Sequence, residues 1–260
     1  MPSLRTVAVT AVVAALLMPA SAEAGKKQQT TTAATYDVSY PQCNGALPSK
    51  VDGGIVGVNG GRVYSANPCL ATEWAWAAKA TTYAPALYAN TADPGPAYSS
   101  YWPTGQTSPQ SCDGSNSSAC AYDYGWNAAK DSFADASAVT ASAGTVAWWL
   151  DVETGNSWET LETAYGQTAD AQASDRAALA GAVAALHDSG VATVGIYSTS
   201  YQWQQITGGT GTQFVAQPVW VAGTGSLSTA RANCTSTSFT GGSIQLGQYA
   251  QSGYDANTHC

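Results

Sequence analysis

The stretch WWLDVETGNSW, residues 148 to 158, ends an apolar run in two acids two positions apart, Asp151 and Glu153. Charged residues make up only 10% of the chain, so two neighbouring carboxyls beside two tryptophans are unusual here. Alternate residues of a strand face the same side. In a strand, Trp149 would share the face of both acids. Two explanations stay open: a buried strand that runs into a polar loop, or an acid pair at the mouth of a barrel.

Short apolar runs with turn residues between them occur along the whole chain and predict eight strands, over residues 36–39, 54–59, 86–90, 146–153, 193–198, 219–222, 244–249 and 254–257. Helices are predicted between them, over residues 68–80 with Asn67 as N-cap, 125–138, 173–187 and 201–206. Strands that alternate with helices predict a parallel sheet. Eight of them predict an α/β fold, a single (β/α) barrel of the TIM type with irregular last β/α units. The alternative is a doubly wound open sheet, which would show a glycine-rich nucleotide turn after its first strand, and DVSYPQCNG is not one.

The N-terminus has the organisation of an export signal. One positive charge, Arg5, precedes an apolar core over residues 7–18, and small residues at Ala22 and Ala24 suit cleavage before Gly25. A membrane anchor is the alternative, but a membrane-spanning helix needs roughly 20 apolar residues. We therefore expect a signal peptide over residues 1–24, a flexible polar lead-in over 25–35 and one barrel domain over 36–260. The expected location is extracellular or at the cell wall, without stable membrane insertion.

Six cysteines in an exported chain indicate disulfides. Fifteen connectivities are possible. Nearest-neighbour pairing is preferred, and it gives Cys43 with Cys69, Cys112 with Cys120, and Cys234 with Cys260. A metal site is the alternative, but no Cys-x-x-Cys spacing occurs and the chain has only two histidines, so no metal is expected.

The net charge of −8 argues against nucleic acid as a partner, because nucleic-acid binding depends on Lys and Arg. Nine tryptophans and 14 tyrosines offer flat apolar faces with polar edges, which are common in sugar-binding clefts. A polysaccharide is therefore the expected partner. We expect a monomer without a cofactor.

The acids fall at informative positions in this barrel. Asp37 lies on the first predicted strand, Asp151 and Glu153 end the fourth, and Asp255 lies on the last, which closes the barrel beside the first. Active sites of such barrels lie at the C-terminal ends of the strands. Carboxyls that are close together and desolvated differ in proton affinity, which is the split that a glycosidase needs. A calcium site or a salt-bridged capping cluster would explain the same acids.

Five segments in this order, YDVSYPQC, WWLDVETGNSW, VGIYSTSYQW, VWVAG and LGQYAQSGYDAN, resemble glycoside hydrolase family 25, the Chalaropsis-type lysozymes. The chain most resembles a secreted, cysteine-containing branch of such proteins from actinobacteria. The resemblance implies cleavage of the β-1,4 bond between N-acetylmuramic acid and N-acetylglucosamine. It implies that Glu153 is the general acid and that Asp37, Asp151 and Asp255 complete the catalytic set. It also places Tyr197, Trp220, Gln248 and Tyr249 at the cleft.

The glycosidase hypothesis assigns each acid a role. Glu153 protonates the leaving oxygen in a retaining-type reaction, and Asp151 positions Glu153 and the acetamido group of the sugar. Asp37 and Asp255 orient these groups or stabilise positive charge. Tyr88 and Trp149 are further candidates for stacking on sugars, with core packing as the alternative for every aromatic residue.

Two strands depart from the family pattern, because the second reads GVNGGR and the third LYAN. The loop over residues 91–125 is also an addition that would narrow or cover the mouth. A second hypothesis is therefore a non-catalytic carbohydrate-binding or cell-surface protein on the same barrel.

Overall fold

The structure, a computed structural model, describes residues 33–209 and 212–260. Eight strands form one closed barrel in which each strand pairs with the next and the last pairs with the first. The strands are β1 Ala34–Val38, β2 Val51–Gly57, β3 Ala86–Asn90, β4 Trp148–Asp151, β5 Val194–Ser198, β6 Val219–Val221, β7 Ile244–Gln251 and β8 Tyr254–His259. The predicted α/β barrel with irregular last units is therefore confirmed.

The prediction of a parallel sheet is correct for β1 to β7 and wrong for the last strand. β1 to β7 run parallel, but β8 is antiparallel to both β7 and β1. Only Ser252 and Gly253 separate β7 from β8, and both have positive φ, 54° and 78°. A two-residue loop with positive φ at both positions is a tight hairpin, which forces the strands to be antiparallel. The mouth of the barrel is the end at which β1 to β7 have their C-terminal residues. Because β8 is antiparallel, its first residues lie at the mouth, and its last residues lie at the opposite end.

Five helices pack outside the barrel in the described part of the chain: α1 Leu70–Ala77, α2 Ser118–Val139, α3 Ala169–Asp188, α4 Ser200–Thr207 and α5 Leu227–Asn233. α2 begins seven residues before its predicted start, and α5 was not predicted. Asn67 does not cap α1 directly. Its Oδ1 accepts a hydrogen bond from the backbone N–H of Cys69, the residue before the helix, at 2.9 Å.

Side chains alternate between the barrel interior and the helix layer. Trp149 packs inside, in a cluster with Ile55, Ala86, Trp220 and Leu246. Trp148 packs outside, where its Nε1 donates to the carbonyl of Ala143 at 2.8 Å. A Cβ at Gly195 would lie 2.3 Å from the Trp149 ring, so the indole fills the space opposite a residue without a side chain. The alternation directs Asp151 to the interior, on the face of Trp149.

Three disulfides close local loops, and they pair neighbouring cysteines: Cys43–Cys69, Cys112–Cys120 and Cys234–Cys260. The last ties the residue after α5 to the residue after β8. Among the described residues no helix is both long and apolar enough to cross a membrane. The predicted signal peptide lies outside the described residues, and so does most of the lead-in. The division of the chain into segments stays a prediction, although β1 begins at Ala34, two residues before the expected barrel domain.

Candidate active site

Four carboxyls meet at the mouth of the barrel. Asp151 is the last residue of β4, and Glu153 follows it by two positions. Asp37 in β1 pairs across the sheet with Asp255 at the start of β8. The hydroxyl of Tyr197 lies within electrostatic reach of all four. The structure therefore brings together all four acids that the sequence singled out, although Glu153 lies beyond the strand rather than on it.

Asp151 is the most enclosed of the four, with 5% of its surface exposed. Its Oδ2 accepts a hydrogen bond of 2.6 Å from Nδ2 of Asn90 on β3. Burial, then the Glu153 carboxyl beside it and the hydrogen bond between the two, raise the pKa of Asp151 well above the usual range. Two carboxyls in contact away from water cannot both be charged without cost. The Glu153 carboxyl therefore adds to the effect of burial and favours the protonated form of Asp151.

Glu153 is the half-buried member of this pair. Nε2 of Gln202 on α4 donates to its Oε1 at 3.4 Å. Oε1 of Gln202 accepts from the backbone N–H of Thr154 at 2.6 Å, which fixes the amide. The indole N–H of Trp158 donates to the Glu153 carbonyl at 2.9 Å. These contacts hold the backbone and the carboxyl of Glu153 although the strand has already ended.

Asp37 occupies the opposite side of the mouth, between two amide donors. Nδ2 of Asn257 donates to its Oδ2 at 2.7 Å, and Nε2 of Gln248 donates to Oδ1 at 3.2 Å. Burial and the charge of Asp255 raise the pKa of Asp37 to about 7, against the opposing effect of the two amides. Oε1 of Gln248 accepts from the hydroxyl of Tyr197 at 2.9 Å, so Gln248 links Asp37 to the group that faces all the acids.

Of the predicted aromatic residues, the two tyrosines lie at the mouth and the two tryptophans lie below it in the barrel interior. Tyr88 and Tyr197 are half-buried among the acids. Trp149 and Trp220 are only 3% and 2% exposed, and their rings meet edge to face below. Nε1 of Trp220 donates to Oδ1 of Asn257 at 2.7 Å, so this tryptophan positions the amide that holds Asp37. The alternative of core packing therefore describes the two tryptophans, and the tyrosines remain candidates for contact with a ligand.

Tyr249 does not reach the site. It follows Gln248 in β7 and so faces the opposite side, where it packs with Ala34, Ala230 and Ala256. The resemblance transferred Gln248 and Tyr249 as a pair, but adjacent residues of a strand cannot both face the barrel interior. Gln248 binds Asp37, and we do not assign Tyr249 a role in binding.

Sequence reasoning missed the amide side chains that surround the acids: Asn90, Asn156, Gln202 and Asn257. Nδ2 of Asn156 donates to the carbonyl of Asp151 at 3.1 Å, and Nδ2 of Asn90 donates to Oδ1 of Asn156 at 3.4 Å. Asn90 ends β3 at the level of Asp151, so its position at a strand end was a usable signal. The sequence contains no such signal for Gln202, because this residue lies on a helix and not at a strand end. Within residues 33–209 and 212–260, no group of three or more His, Cys, Asp or Glu side chains has the arrangement of a metal site.

The barrel has the fold of solved muramidases and lysozymes, among them a lysozyme of family GH25. Similar solved structures are a muramidase from Acremonium alcalophilum (16% identity, 88% of this chain and 94% of that one, TM-score 0.52) and a family GH25 lysozyme from Aspergillus fumigatus (15%, 87% and 92%, 0.52). A bacterial lysozyme from Streptomyces coelicolor is also similar (16% identity, 88% and 93%, TM-score 0.50). No family model and no curated protein matches the chain.

Proposed function

We propose that this protein is a secreted glycoside hydrolase that cleaves β-1,4 bonds of peptidoglycan or a related amino-sugar polymer. The meeting of the Asp151 and Glu153 carboxyls at the mouth of the barrel carries the proposal, because burial and the neighbouring carboxyl favour the protonated form of Asp151. Glycoside hydrolysis needs one carboxyl that donates a proton and another that is charged. The disulfides support a location outside the cell.

The enclosure of the acids supports their roles. Glu153 is the more exposed carboxyl of the two, so it reaches the leaving oxygen and gives it a proton as the glycosidic bond breaks. Glu153 regains a proton from the water that attacks the sugar in the second step, and Asp151, fixed by Asn90, orients Glu153. Asp37 and Asp255 lie across the mouth, where negative charge stabilises the positive charge that develops on the sugar ring. Tyr88 and Tyr197 flank the ring.

The test is hydrolysis of purified peptidoglycan by the mature, disulfide-intact protein, measured as new reducing sugar ends. Glu153→Gln keeps the shape and the contact to Gln202 but cannot donate the proton, so we expect the rate to fall by at least about 10³-fold. Glu162→Gln, the same change at a carboxyl outside the acid cluster, is the matched control and retains the rate. Equal rates in wild type and Glu153→Gln would overturn the assignment of Glu153.

A second candidate is a carbohydrate-binding protein without turnover. The observation that favours it is the uncharged interior on β2 and β3, where Gly57 pairs with Tyr88 and a Cβ at Gly57 would meet the Tyr88 ring at 2.7 Å. This candidate predicts that peptidoglycan of several chemotypes pulls down wild type and Glu153→Gln equally, and that neither releases reducing ends.

A further inference from the structure

A second concave surface lies beside the acid cluster. Loops that follow β2, β3 and β4 enclose a pocket of about 570 Å³, which we call the loop pocket. The side chains that matter for its chemistry are Arg62, Tyr64, Tyr98, Tyr101 and Asn156. The sequence singled out none of them, and only Asn156 belongs to the amides around the acids.

The loop pocket adjoins the acid cluster. Asn156 lines the pocket and donates to the carbonyl of Asp151. Thr91 also lines it, and its Oγ1 donates to the same carbonyl at 2.6 Å. Two residues that line the loop pocket therefore contact the backbone of an acid at the mouth.

Tyr101 presents an aromatic face in this pocket. It is 57% exposed, and its ring stacks on that of Tyr64 with 4.1 Å between centroids and 8° between planes. Tyr64 has a φ of 54°, a left-handed conformation that is unfavourable for an aromatic residue. Its hydroxyl donates to the carbonyl of Tyr124 at 3.2 Å. Strained residues held by their surroundings are characteristic of binding sites.

The Cys112–Cys120 disulfide lies under this aromatic pair. Cys112 and Cys120 pack in one buried cluster with Trp102 and Tyr124, and Tyr64 packs against it. The face of Tyr101 is therefore built on a fixed base before any ligand arrives. Preorganised surfaces of this kind bind with a small loss of conformational entropy.

Arg62 gives the loop pocket its charge. It is exposed, and it is the only Lys or Arg that lines the pocket. The one salt bridge among residues 33–209 and 212–260 joins Lys130 to Asp188, so no carboxylate of the described chain neutralises Arg62. In a chain of net charge −8, a free guanidinium beside a cluster of acids selects for a carboxylate on the ligand.

We propose that the loop pocket binds a sugar unit that carries a carboxylate, with Arg62 on the carboxylate and Tyr101 on the face of the ring. This inference rests on the proposed function, because the sugar belongs to the glycan chain whose neighbouring bond enters the acid cluster. It makes Arg62 a determinant of specificity for an anionic stretch of glycan.

The test measures binding in the Glu153→Gln protein, which leaves the probes uncleaved. The probes are tetrasaccharides of alternating N-acetylglucosamine and N-acetylmuramic acid without peptide, one with free lactyl carboxylates and one with the same groups as methylamides. We expect calorimetry to give about tenfold tighter binding of the free acid, the size of one charge-assisted hydrogen bond. Arg62→Gln removes this preference and keeps affinity for the amide, whereas Tyr101→Ala weakens the binding of both.

Two matched controls fix the interpretation. Lys79→Gln removes a charge outside the pocket, and Tyr83→Ala removes an exposed tyrosine at the opposite end of the barrel, so both leave affinity and preference unchanged. Equal binding of the two probes, a preference that survives Arg62→Gln, or no binding of either probe would overturn the inference. Hydrolysis of peptidoglycan with any of these results leaves the proposed function standing, and binding without hydrolysis overturns the proposed function alone.

Discussion

Asp37 shows how burial and a neighbouring charge together change the ionisation of a residue in this site. Burial, and after it the charge of Asp255, raises the pKa of Asp37 to about 7. If Asp37 stabilises positive charge, the ionised form is the active one, so kcat/KM rises with pH on an acid limb whose midpoint lies near that value. Asp255→Asn removes the neighbouring charge and lowers the pKa of Asp37. We expect the acid limb of the pH profile to move to lower pH.

Asp52→Asn is the control for this profile, because Asp52 lies near the start of β2, at the opposite end of the barrel. It retains the acid limb of the wild type. An acid limb at the same pH in Asp255→Asn and wild type would show that Asp37 does not report on Asp255, and its assignment as the charge-stabilising group would fail.

Among the secondary-structure elements, the sequence predicts the positions of the strands better than it predicts whether a strand runs parallel or antiparallel to its neighbours. β3 has its predicted bounds, because a short β-rich run between turn residues fixes a strand locally. The direction of β8 depends on the Ser252-Gly253 loop, a hairpin signal that the sequence contained and the expectation overlooked. The acids could be predicted because acids at strand ends are rare in this chain. Gln202 could not, because only the packing of α4 against the mouth brings its amide to Glu153.

The contact between α2 and α3 depends on two glycines within helices. A Cβ at Gly125 would lie 1.9 Å from the carbonyl oxygen of Ala178, and one at Gly181 would lie 2.0 Å from that of Tyr122. Helix propensity alone predicts that Gly→Ala stabilises a helix by about 1 kcal/mol. Because both obstacles are backbone atoms, we expect Gly125→Ala and Gly181→Ala instead to lower the free energy of unfolding by about 1–3 kcal/mol.

Urea unfolding measures this effect. Gly155→Ala is the control, because its Cβ would enter open space, and its midpoint stays near that of the wild type. A gain in stability in Gly125→Ala or Gly181→Ala would mean that the two helices separate at little cost and that their close approach is not a constraint of the fold.

For the whole molecule, buried carboxyls make stability depend on pH in an unusual direction. Asp93, Glu159 and Asp175 form a second buried cluster, away from the acids of the mouth. Burial and the Glu159 charge raise the pKa of Asp93 to about 8, and burial and the Asp93 charge raise that of Asp175 to about 9. The folded protein therefore holds protons that the unfolded chain releases near pH 4.

The sign follows from linkage. When the folded state binds more protons than the unfolded state, the free energy of unfolding falls as pH rises. The stabilisation is complete below the unfolded pKa near 4 and is lost as pH rises through the folded values of about 8 and 9. We expect the thermal midpoint to fall by at least about 5 °C between pH 5 and pH 8. Asp93→Asn makes the thermal midpoint fall less with pH, because an amide takes up no proton. The control Asp170→Asn, at an exposed residue, leaves the pH dependence of the midpoint unchanged. A midpoint that rises over the same interval would show that these carboxyls are charged in the folded protein, and the buried cluster would then need a cation to compensate it.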